Sequence, residues 1–252
     1  MKVVEIQYGK SLYSLYVDPK DSRYNMVKSK KGTQDGKVLT WESIVNKFPS
    51  DKIFDIGCNY GEFLVPIANI TNTPIVAFEP NTKVYNCLKE TITHFYKLND
   101  NILLNNTAVS NIDDILTLYI PDSSGNASLN KRCVKNKVLN EQSVKVEDIS
   151  SYLEGCNTFV MKIDVEGEEW KILNRIQEID NFTNYCIMFE YDRFSDSKKG
   201  IVEEFLDGKY VIPISRQKVD LNTFFKYSKD KHSKLEHAHD IIVCKSPLIN
   251  ER

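Results

Sequence analysis

The chain has 252 residues, of which 41% are hydrophobic and 27% are charged, and its formal net charge is −2. This length and hydrophobic content favour one α/β domain with additions over several domains. A net charge close to zero argues against general nucleic-acid binding, and the sequence contains no run of 18 apolar residues that would span a membrane.

Polar residues begin at Lys2, so we expect no signal peptide and a cytoplasmic protein. The six cysteines are scattered without the C-x-x-C spacing that is typical of zinc sites. We therefore expect buried, reduced thiols and no metal centre built on cysteine.

The first 37 residues form a predicted N-terminal extension or lid ahead of a single domain over residues 38–252. Weak alternation of apolar residues over 1–20 predicts a hairpin. The charged segment Asp21–Gly36 contains two glycines and predicts a mobile loop or lid. An amphipathic helix is predicted over Val38–Phe48, before Pro49.

The next segment, Lys52–Glu62, predicts a buried strand, a glycine turn and the start of a helix. Such a unit places backbone N–H groups beside a nucleotide-like ligand. A dinucleotide fingerprint needs G-x-G-x-x-G, but counting from Gly57 this chain has Asn59 and Glu62 at the second and third glycine positions. Glu62 would also place a carboxylate near a pyrophosphate. The turn therefore favours a nucleoside cofactor without phosphates, such as S-adenosylmethionine (SAM), whose sulfonium is a cation.

Four predicted strands end in an acidic residue. If these strands are parallel neighbours, their carboxyl ends share the edge where open α/β sheets bind ligands. Carboxylates at that edge attract a cation and repel phosphates. The acids are Asp55, Glu79, Asp164 and Glu190, after strands predicted over Lys52–Ile56, Ile75–Phe78, Thr158–Ile163 and Tyr185–Phe189.

Strands alternate with helices along the rest of the chain, which predicts a doubly wound, mostly parallel seven-stranded sheet. The long polar loop Pro121–Asn140 suits a substrate lid. The other predicted elements are helices around Phe63–Ala68 and over Asn81–Phe95, Glu166–Ile176 and Lys199–Leu206, and strands over Ile102–Asn105, Leu116–Ile120, Ser143–Val146, Tyr210–Ile214 and Asp240–Cys244.

Four motifs, DIGCNYG, AFEPN, NNTAVS and MKIDVEGEEWKIL, occur in this order between residues 55 and 173. In sequence and spacing they resemble the FkbM family of SAM-dependent O-methyltransferases, and the resemblance runs from about Val38 to Val243. It implies a Rossmann-like class I methyltransferase fold with SAM as cofactor. It also implies a carbohydrate or small-molecule acceptor, namely a hydroxyl of a sugar, glycan or secondary metabolite, often in polysaccharide biosynthesis.

Glu79 is the predicted ribose ligand, because an acid after the second strand can accept hydrogen bonds from both ribose hydroxyls. Alternatively, it caps the next helix. Asn59 either contacts the methionyl part of the cofactor or caps a helix, and Gly61 is expected to allow close backbone approach. The resemblance places adenine near Asn106 and Ala108, although Asn106 is equally a turn asparagine. The predicted cofactor-binding residues are Asp55, Gly57, Asn59, Gly61, Glu79, Pro80, Asn106 and Ala108.

Asp164 is the predicted catalytic base, because methyl transfer to a hydroxyl requires removal of its proton. The alternative is that Asp164 caps the following helix, with Glu166 as a partner of the helix dipole in the first turn. Glu190 is the second catalytic candidate. Asp164 and Glu190 could together bind magnesium, an alternative that the sequence does not favour.

Other interpretations remain open at this stage. His237 and His239, with Asp240, form either a metal or acid–base cluster or, as we favour, an exposed strand entry; the basic stretch Lys226–Lys234 predicts a solvated loop. The protein is alternatively a catalytically silent SAM-binding scaffold or, less favourably, an NAD-dependent sugar oxidoreductase. A homo-oligomer is compatible with the sequence.

Overall fold

The computed structural model describes residues 1–29, 35–96, 100–134, 136–191, 196–214 and 239–246. Within these ranges seven strands form one central sheet. In spatial order they are β11 (Tyr210–Ile214), β12 (Asp240–Cys244), β10 (Asn184–Glu190), β9 (Thr158–Ile163), β3 (Lys52–Ile56), β4 (Ile75–Phe78) and β5 (Ile102–Asn105).

The sheet is mostly parallel. Strands β5, β4, β3, β9 and β10 pair in parallel, whereas β12 is antiparallel to both of its neighbours, β10 and β11. The chain moves outward from β3 in one direction through β4 and β5, and later returns to the other side of β3 as β9. This reversal opens a crevice outside the carboxyl ends of β3 and β9. The predicted seven-stranded, doubly wound sheet is confirmed.

The central strands are short apolar runs because both faces of the sheet are covered. One face packs against α2 (Asp35–Lys47), α3 (Leu64–Ala68) and α4 (Thr82–Phe95). The other face packs against α6 (Glu169–Glu178) and α7 (Asp196–Leu206). Helix α4 begins where the sequence predicts, because the Asn81 side chain accepts a hydrogen bond from the Lys83 N–H and caps it.

The N-terminal residues form the predicted hairpin, β1 (Lys2–Tyr8) and β2 (Ser11–Val17), which packs against α4. The prediction of a loop over Asp21–Gly36 is wrong where the structure describes this segment. Residues Arg23–Lys28 form helix α1, and α2 already begins at Asp35. Val27 explains the difference, because this apolar residue is buried in the core although most of the segment is polar.

A separate three-stranded sheet contains β6 (Ala108–Ser110), β7 (Asp114–Ile120) and β8 (Asn140–Asp148). The patterns predict β7 and β8 but not β6, which is only three residues long, nor the short α5 (Ser150–Leu153). The loop between β7 and β8 folds over the carboxyl edge of the central sheet. Among the described residues, no helix has the length and apolar character needed to cross a membrane. None of the six cysteines forms a disulfide bond.

Candidate active-site crevice

A crevice of about 300 Å³ lies at the carboxyl ends of β3, β4, β9 and β10. Its walls include the loop after β7, helix α1 and the entry to β12. Three of the four predicted strand-end acids, Glu79, Asp164 and Glu190, line it, and so do Gly57, Asn59, Pro80 and Ala108.

The floor of the crevice depends on Gly57. This residue has φ +80°, and a Cβ there would lie 2.0 Å from the carbonyl oxygen of Asp164. The N–H groups of Gly57 and Asp164 donate to the carbonyls of Phe78 and Ile56, so three strand ends are tied together at this point. Only glycine allows both the backbone conformation and this close approach.

Gly61 lies where the turn after β3 packs closely against α4. It also has a positive φ, of +93°, but a Cβ there would lie 2.6 Å from Leu88 Cδ1 of α4. It does not line the crevice. The absence of a side chain at Gly61 thus allows the turn to pack against α4, rather than allowing a ligand to approach.

Asn59 and Glu79 connect the carboxyl ends of β3 and β4. The Asn59 N–H donates to Glu79 Oε2 at 2.9 Å, and the Asn81 N–H donates to Glu79 Oε1 at 2.8 Å. Asn59 has φ 47°, and its side chain contacts Ser124 of the covering loop at 3.3 Å. It does not cap α3, whose N-cap residue is Phe63. Each Glu79 oxygen retains a lone pair for a ligand.

Asn106 lies outside the crevice lining and ties a turn together, as its alternative interpretation predicts. Its Nδ2 donates to the carbonyls of Glu79 and Pro80, at 2.8 and 3.2 Å. Ala108 lies beyond it in β6 and does line the crevice, with Thr107 and Val109.

Asp55 is the strand-end acid that the sequence misplaces. It is completely buried and does not line the crevice, and among the residues that the structure describes neither carboxylate oxygen has a hydrogen-bond partner. The ammonium of Lys162 lies 3.7 Å from Asp55 Oδ1 and 3.3 Å from Asp164 Oδ2. Lys162 therefore lies between a buried carboxylate and an exposed one. A lysine within the apolar run Phe159–Ile163 is the sequence signal that could have revealed this buried pair, since such a charge needs a partner.

Burial and charge shift the pKa values of these groups. Burial raises the pKa of Asp55 to about 6, although Lys162 opposes this shift. Burial likewise raises the pKa of Glu79 to about 7. The pKa of Lys162 is lowered by burial but raised more by Asp164 and Asp55, so it lies above the usual value and the side chain is a cation.

Asp164 is the first residue after β9, and 44% of its side chain is exposed. The loop that follows it contains two left-handed residues, Glu166 with φ 58° and Gly167 with φ 102°. Glu169, which is buried, accepts hydrogen bonds from the N–H groups of Val165 and Gly167, at 3.2 and 2.9 Å. Helix α6 begins only at Glu169, so the alternatives of Asp164 as its N-cap and Glu166 in its first turn are wrong.

An acidic cluster lies on the side of the crevice nearest β10. Oxygen atoms of Asp164, Glu166 and Glu190 lie within 4.8 Å of one another. Carboxylate oxygens are ligands that Mg²⁺ accepts, although acidic groups also cluster without an ion. His239 Nδ1 lies 3.1 Å from Glu190 Oε1 and 3.3 Å from Asp240. His237 and the stretch Lys226–Lys234 lie outside the described residues.

Helix α1 and the loop after β7 cover the crevice, and Asp21, which lies just before α1, connects them. Asp21 Oδ1 accepts from the Ser124 N–H at 3.1 Å, and Oδ2 accepts from the Tyr60 hydroxyl at 2.8 Å.

Arg23 pairs with the buried Glu62, at 2.5 Å between Nη2 and Oε2. Glu62 therefore faces α1 and not the crevice, so its charge is not the reason that a pyrophosphate would be disfavoured. No local pattern in the sequence indicates the Arg23–Glu62 contact, because 39 residues separate the partners.

The raised pKa values predict how stability depends on pH. Burial raises the pKa of Glu169, like that of Glu79, to about 7. A carboxyl group with a raised pKa in the folded state stabilises that state at low pH, and the contribution is lost as the pH rises through the folded value. We expect the ligand-free protein to melt at least a few degrees lower at pH 7.5 than at pH 5.5, which thermal unfolding would measure. Glu169→Gln should flatten this slope, and an upward slope would contradict the assignment.

Comparison with known proteins adds a family. The family model described as the Vibrio cholerae RfbT protein matches residues 7–239. No curated protein matches the sequence. Three solved structures illustrate the range of proteins to which this chain is similar. They are methyltransferase FkbM from Methylobacillus flagellatus KT (12% identity, 77% of this chain and 43% of that chain, TM-score 0.47), a SAM-dependent methyltransferase from Agrobacterium tumefaciens (9%, 97% and 70%, 0.48) and the tRNA (uracil-54, C5)-methyltransferase of Pyrococcus abyssi in complex with S-adenosyl-L-homocysteine (8%, 97% and 44%, 0.44).

The chain spans less than half the length of the Methylobacillus and Pyrococcus proteins. The family whose model covers most of the chain is the RfbT family.

Proposed function

The chain belongs to the Vibrio cholerae RfbT protein family, and we propose that it is a SAM-dependent O-methyltransferase. Its acceptor in this proposal is a hydroxyl group of a sugar, glycan or secondary metabolite. The observation that carries the proposal is the juxtaposition of Gly57, Glu79 and Asp164 at one crevice. In this proposal Gly57 lets the strand ends approach each other at the floor of the crevice, Glu79 binds the ribose and Asp164 is the base.

The chain's residues fit SAM in two respects. Gly57 lets the ends of β3 and β9 approach closely at the floor of the crevice, because a Cβ there would lie 2.0 Å from the Asp164 carbonyl oxygen. The carboxylate of Glu79, held by two backbone N–H groups, presents its remaining lone pairs to ribose hydroxyls. Ala108, Thr107 and Val109 line the part of the crevice next to Pro80 and suit an adenine ring.

SAM supplies an electrophilic methyl group, and the protein must position the acceptor and remove its proton. Asp164 is the proposed base, since its carboxylate is exposed at the crevice and the Lys162 ammonium lies 3.3 Å away. Glu169 holds the Asp164–Gly167 loop and thereby fixes the direction of the base.

The charges of the crevice favour a neutral or cationic acceptor. Among the described lining residues there are six carboxylates and three cations. Repulsion between these carboxylates and a phosphate chain argues against RNA as the acceptor. The carboxylates are those of Glu79, Asp164, Glu166, Glu168, Glu190 and Asp240, and the cations are those of Arg23, Lys37 and Lys162.

Asp164, Glu166 and Glu190 have the ligand type that would hold a divalent cation in an alternative form of the reaction. A bound cation would lower the pKa of the acceptor hydroxyl in place of a base. Loss of activity in EDTA with recovery on adding Mg²⁺ would establish this alternative. Full activity in EDTA is the result that we expect from Asp164 as the base.

The function itself is tested in two stages with the full chain. Calorimetry should detect SAM and S-adenosylhomocysteine (SAH) binding in the micromolar range and no binding of NAD or NADP. Radiolabelled SAM with fractionated cell glycans and small metabolites should then give methyl incorporation. Tight NAD binding without SAM binding would contradict the proposal in favour of an oxidoreductase. SAM binding without incorporation into any fraction would favour the scaffold alternative.

Glu79→Ala is expected to weaken SAH binding at least tenfold, because roughly 1.4 kcal/mol is a factor of ten and two charge-assisted hydrogen bonds exceed it. In the wild type, affinity should increase from pH 6 to pH 8, because the carboxyl with its pKa of about 7 accepts both ribose hydrogen bonds only when ionised. Calorimetry at several pH values measures both effects.

Asp51→Asn is the matched control for this prediction. Asp51 Oδ2 also accepts two backbone N–H groups, those of Asn157 and Thr158, both at 2.8 Å, but at the opposite edge of the sheet. We expect its SAH affinity to equal that of the wild type. An unchanged affinity in folded Glu79→Ala would place the ribose contact elsewhere.

A further inference from the structure

We propose that Arg23 binds the carboxylate of the amino-acid tail of SAM, an assignment that rests on the proposed function. Arg23 belongs to α1, lines the crevice and leaves 17% of its side chain exposed. Its Nε and Nη2 both donate to Glu62 Oε2, at 3.0 and 2.5 Å. Its third nitrogen, Nη1, has no hydrogen-bonding partner among the residues that the structure describes. One edge of the guanidinium is therefore fixed and the other is available to a ligand.

The position of Arg23 relative to Glu79 matches the two ends of the cofactor. Asn59 connects them, because its N–H donates to Glu79 and its side chain contacts Ser124, at 2.9 and 3.3 Å. The next residue, Gly125, lies against Arg23, since a Cβ there would be 2.5 Å from Nη1. A ligand whose ribose is held by Glu79 can thus extend its tail along Asn59 to the guanidinium.

The other two cations among the described lining residues are paired with carboxylates of their own. Lys37 pairs with Asp240 on β12, and Lys162 lies between Asp164 and Asp55. A guanidinium is also the better partner geometrically, because its planar fork matches a carboxylate with two parallel hydrogen bonds. Glu62 orients the Arg23 fork before a ligand arrives, which lowers the entropy that binding must overcome.

The test compares two probes that differ only in the carboxylate. Calorimetry on the full chain would measure SAH and its decarboxylated analogue, which retains the amine. In the wild type, SAH should bind about 10- to 100-fold more tightly than the analogue. In Arg23→Gln this preference should disappear, because the affinity for SAH falls by that factor while the affinity for the analogue changes less than about twofold.

Arg23→Gln leaves the buried Glu62 without its countercharge, so Arg23→Gln/Glu62→Gln provides a second variant in which both charges are absent. It should show the same loss of preference for SAH. Equal weakening of both probes, or an unchanged preference in either folded variant, would overturn the assignment and leave Arg23 as a structural partner of Glu62. A wild type that binds neither probe would instead refute the cofactor proposal, and the Arg23 assignment with it.

Discussion

Asp164→Asn is expected to lower the turnover of methyl transfer by roughly 10²–10⁴, the contribution of a positioned general base. The substitution retains the shape of the side chain but cannot accept a proton from a hydroxyl. SAH affinity should change little, because ribose and tail contacts lie at Glu79 and Arg23 in the proposed arrangement. The measurement is methyl incorporation into the acceptor fraction found with the wild type, together with calorimetry of SAH.

Glu178→Gln is the control for loss of a carboxylate. Glu178 lies on α6 outside the crevice, and 51% of its side chain is exposed, so turnover should equal that of the wild type. Wild-type turnover in Asp164→Asn would refute the base assignment. Glu190, on the adjacent strand end, would then be the next candidate. Capping of α6 cannot account for a loss of activity, because this helix begins at Glu169.

Gly57→Ala is expected to destabilise the protein by roughly 2–5 kcal/mol and to abolish measurable SAH binding. A left-handed conformation costs an alanine about 1–2 kcal/mol. The remainder comes from the collision of its Cβ with the Asp164 carbonyl, for which overpacking costs typically about 1–3 kcal/mol. Because the obstacle is backbone, the ends of β3 and β9 must separate. Urea unfolding and SAH calorimetry would measure the two effects.

Gly155→Ala separates the conformational cost from the collision. Gly155 has a similar φ, +73°, but a Cβ there would meet no atom within 4 Å. We expect the free energy of unfolding of this variant to fall by only about 1–2 kcal/mol, and its SAH affinity to equal that of the wild type. If Gly57→Ala lowers the free energy of unfolding by no more than Gly155→Ala does, the close contact between the two strand ends does not restrict the residue at position 57.

The sequence determined the central sheet because the sheet depends on local patterns. Mostly apolar runs of four to six residues, such as Ile75–Phe78 and Thr158–Ile163, alternate with segments whose apolar residues recur at helical spacing. This alternation predicts strands that are covered on both faces. All seven predicted strands occur within a residue or two of the predicted limits. Asn81 also marks the start of α4, since capping is a contact between near neighbours in the chain.

The tertiary structure alone decided which acids reach the crevice. Asp55 is the penultimate residue of β3, so its side chain points into the packed face of the sheet, where it is completely buried. Glu79 and Asp164 follow the last residues of their strands, and Glu190 ends β10, so these three lie at the crevice. A shift of one residue along a strand reverses the direction of a side chain, and the sequence pattern locates strand ends less accurately than that.

The cations of the crevice were likewise decided by long-range contacts. The pairing of Lys162 with Asp55 depends on the register of β9 against β3. Helix α1 reaches the crevice because Val27 enters the core and Arg23 meets Glu62, 39 residues away. The charged composition of Asp21–Gly36 predicts a loop, because composition gives the number of polar residues but not the partner that each one contacts in the fold. Local periodicity therefore determined the scaffold, and only contacts between distant residues determined which charged groups line the crevice.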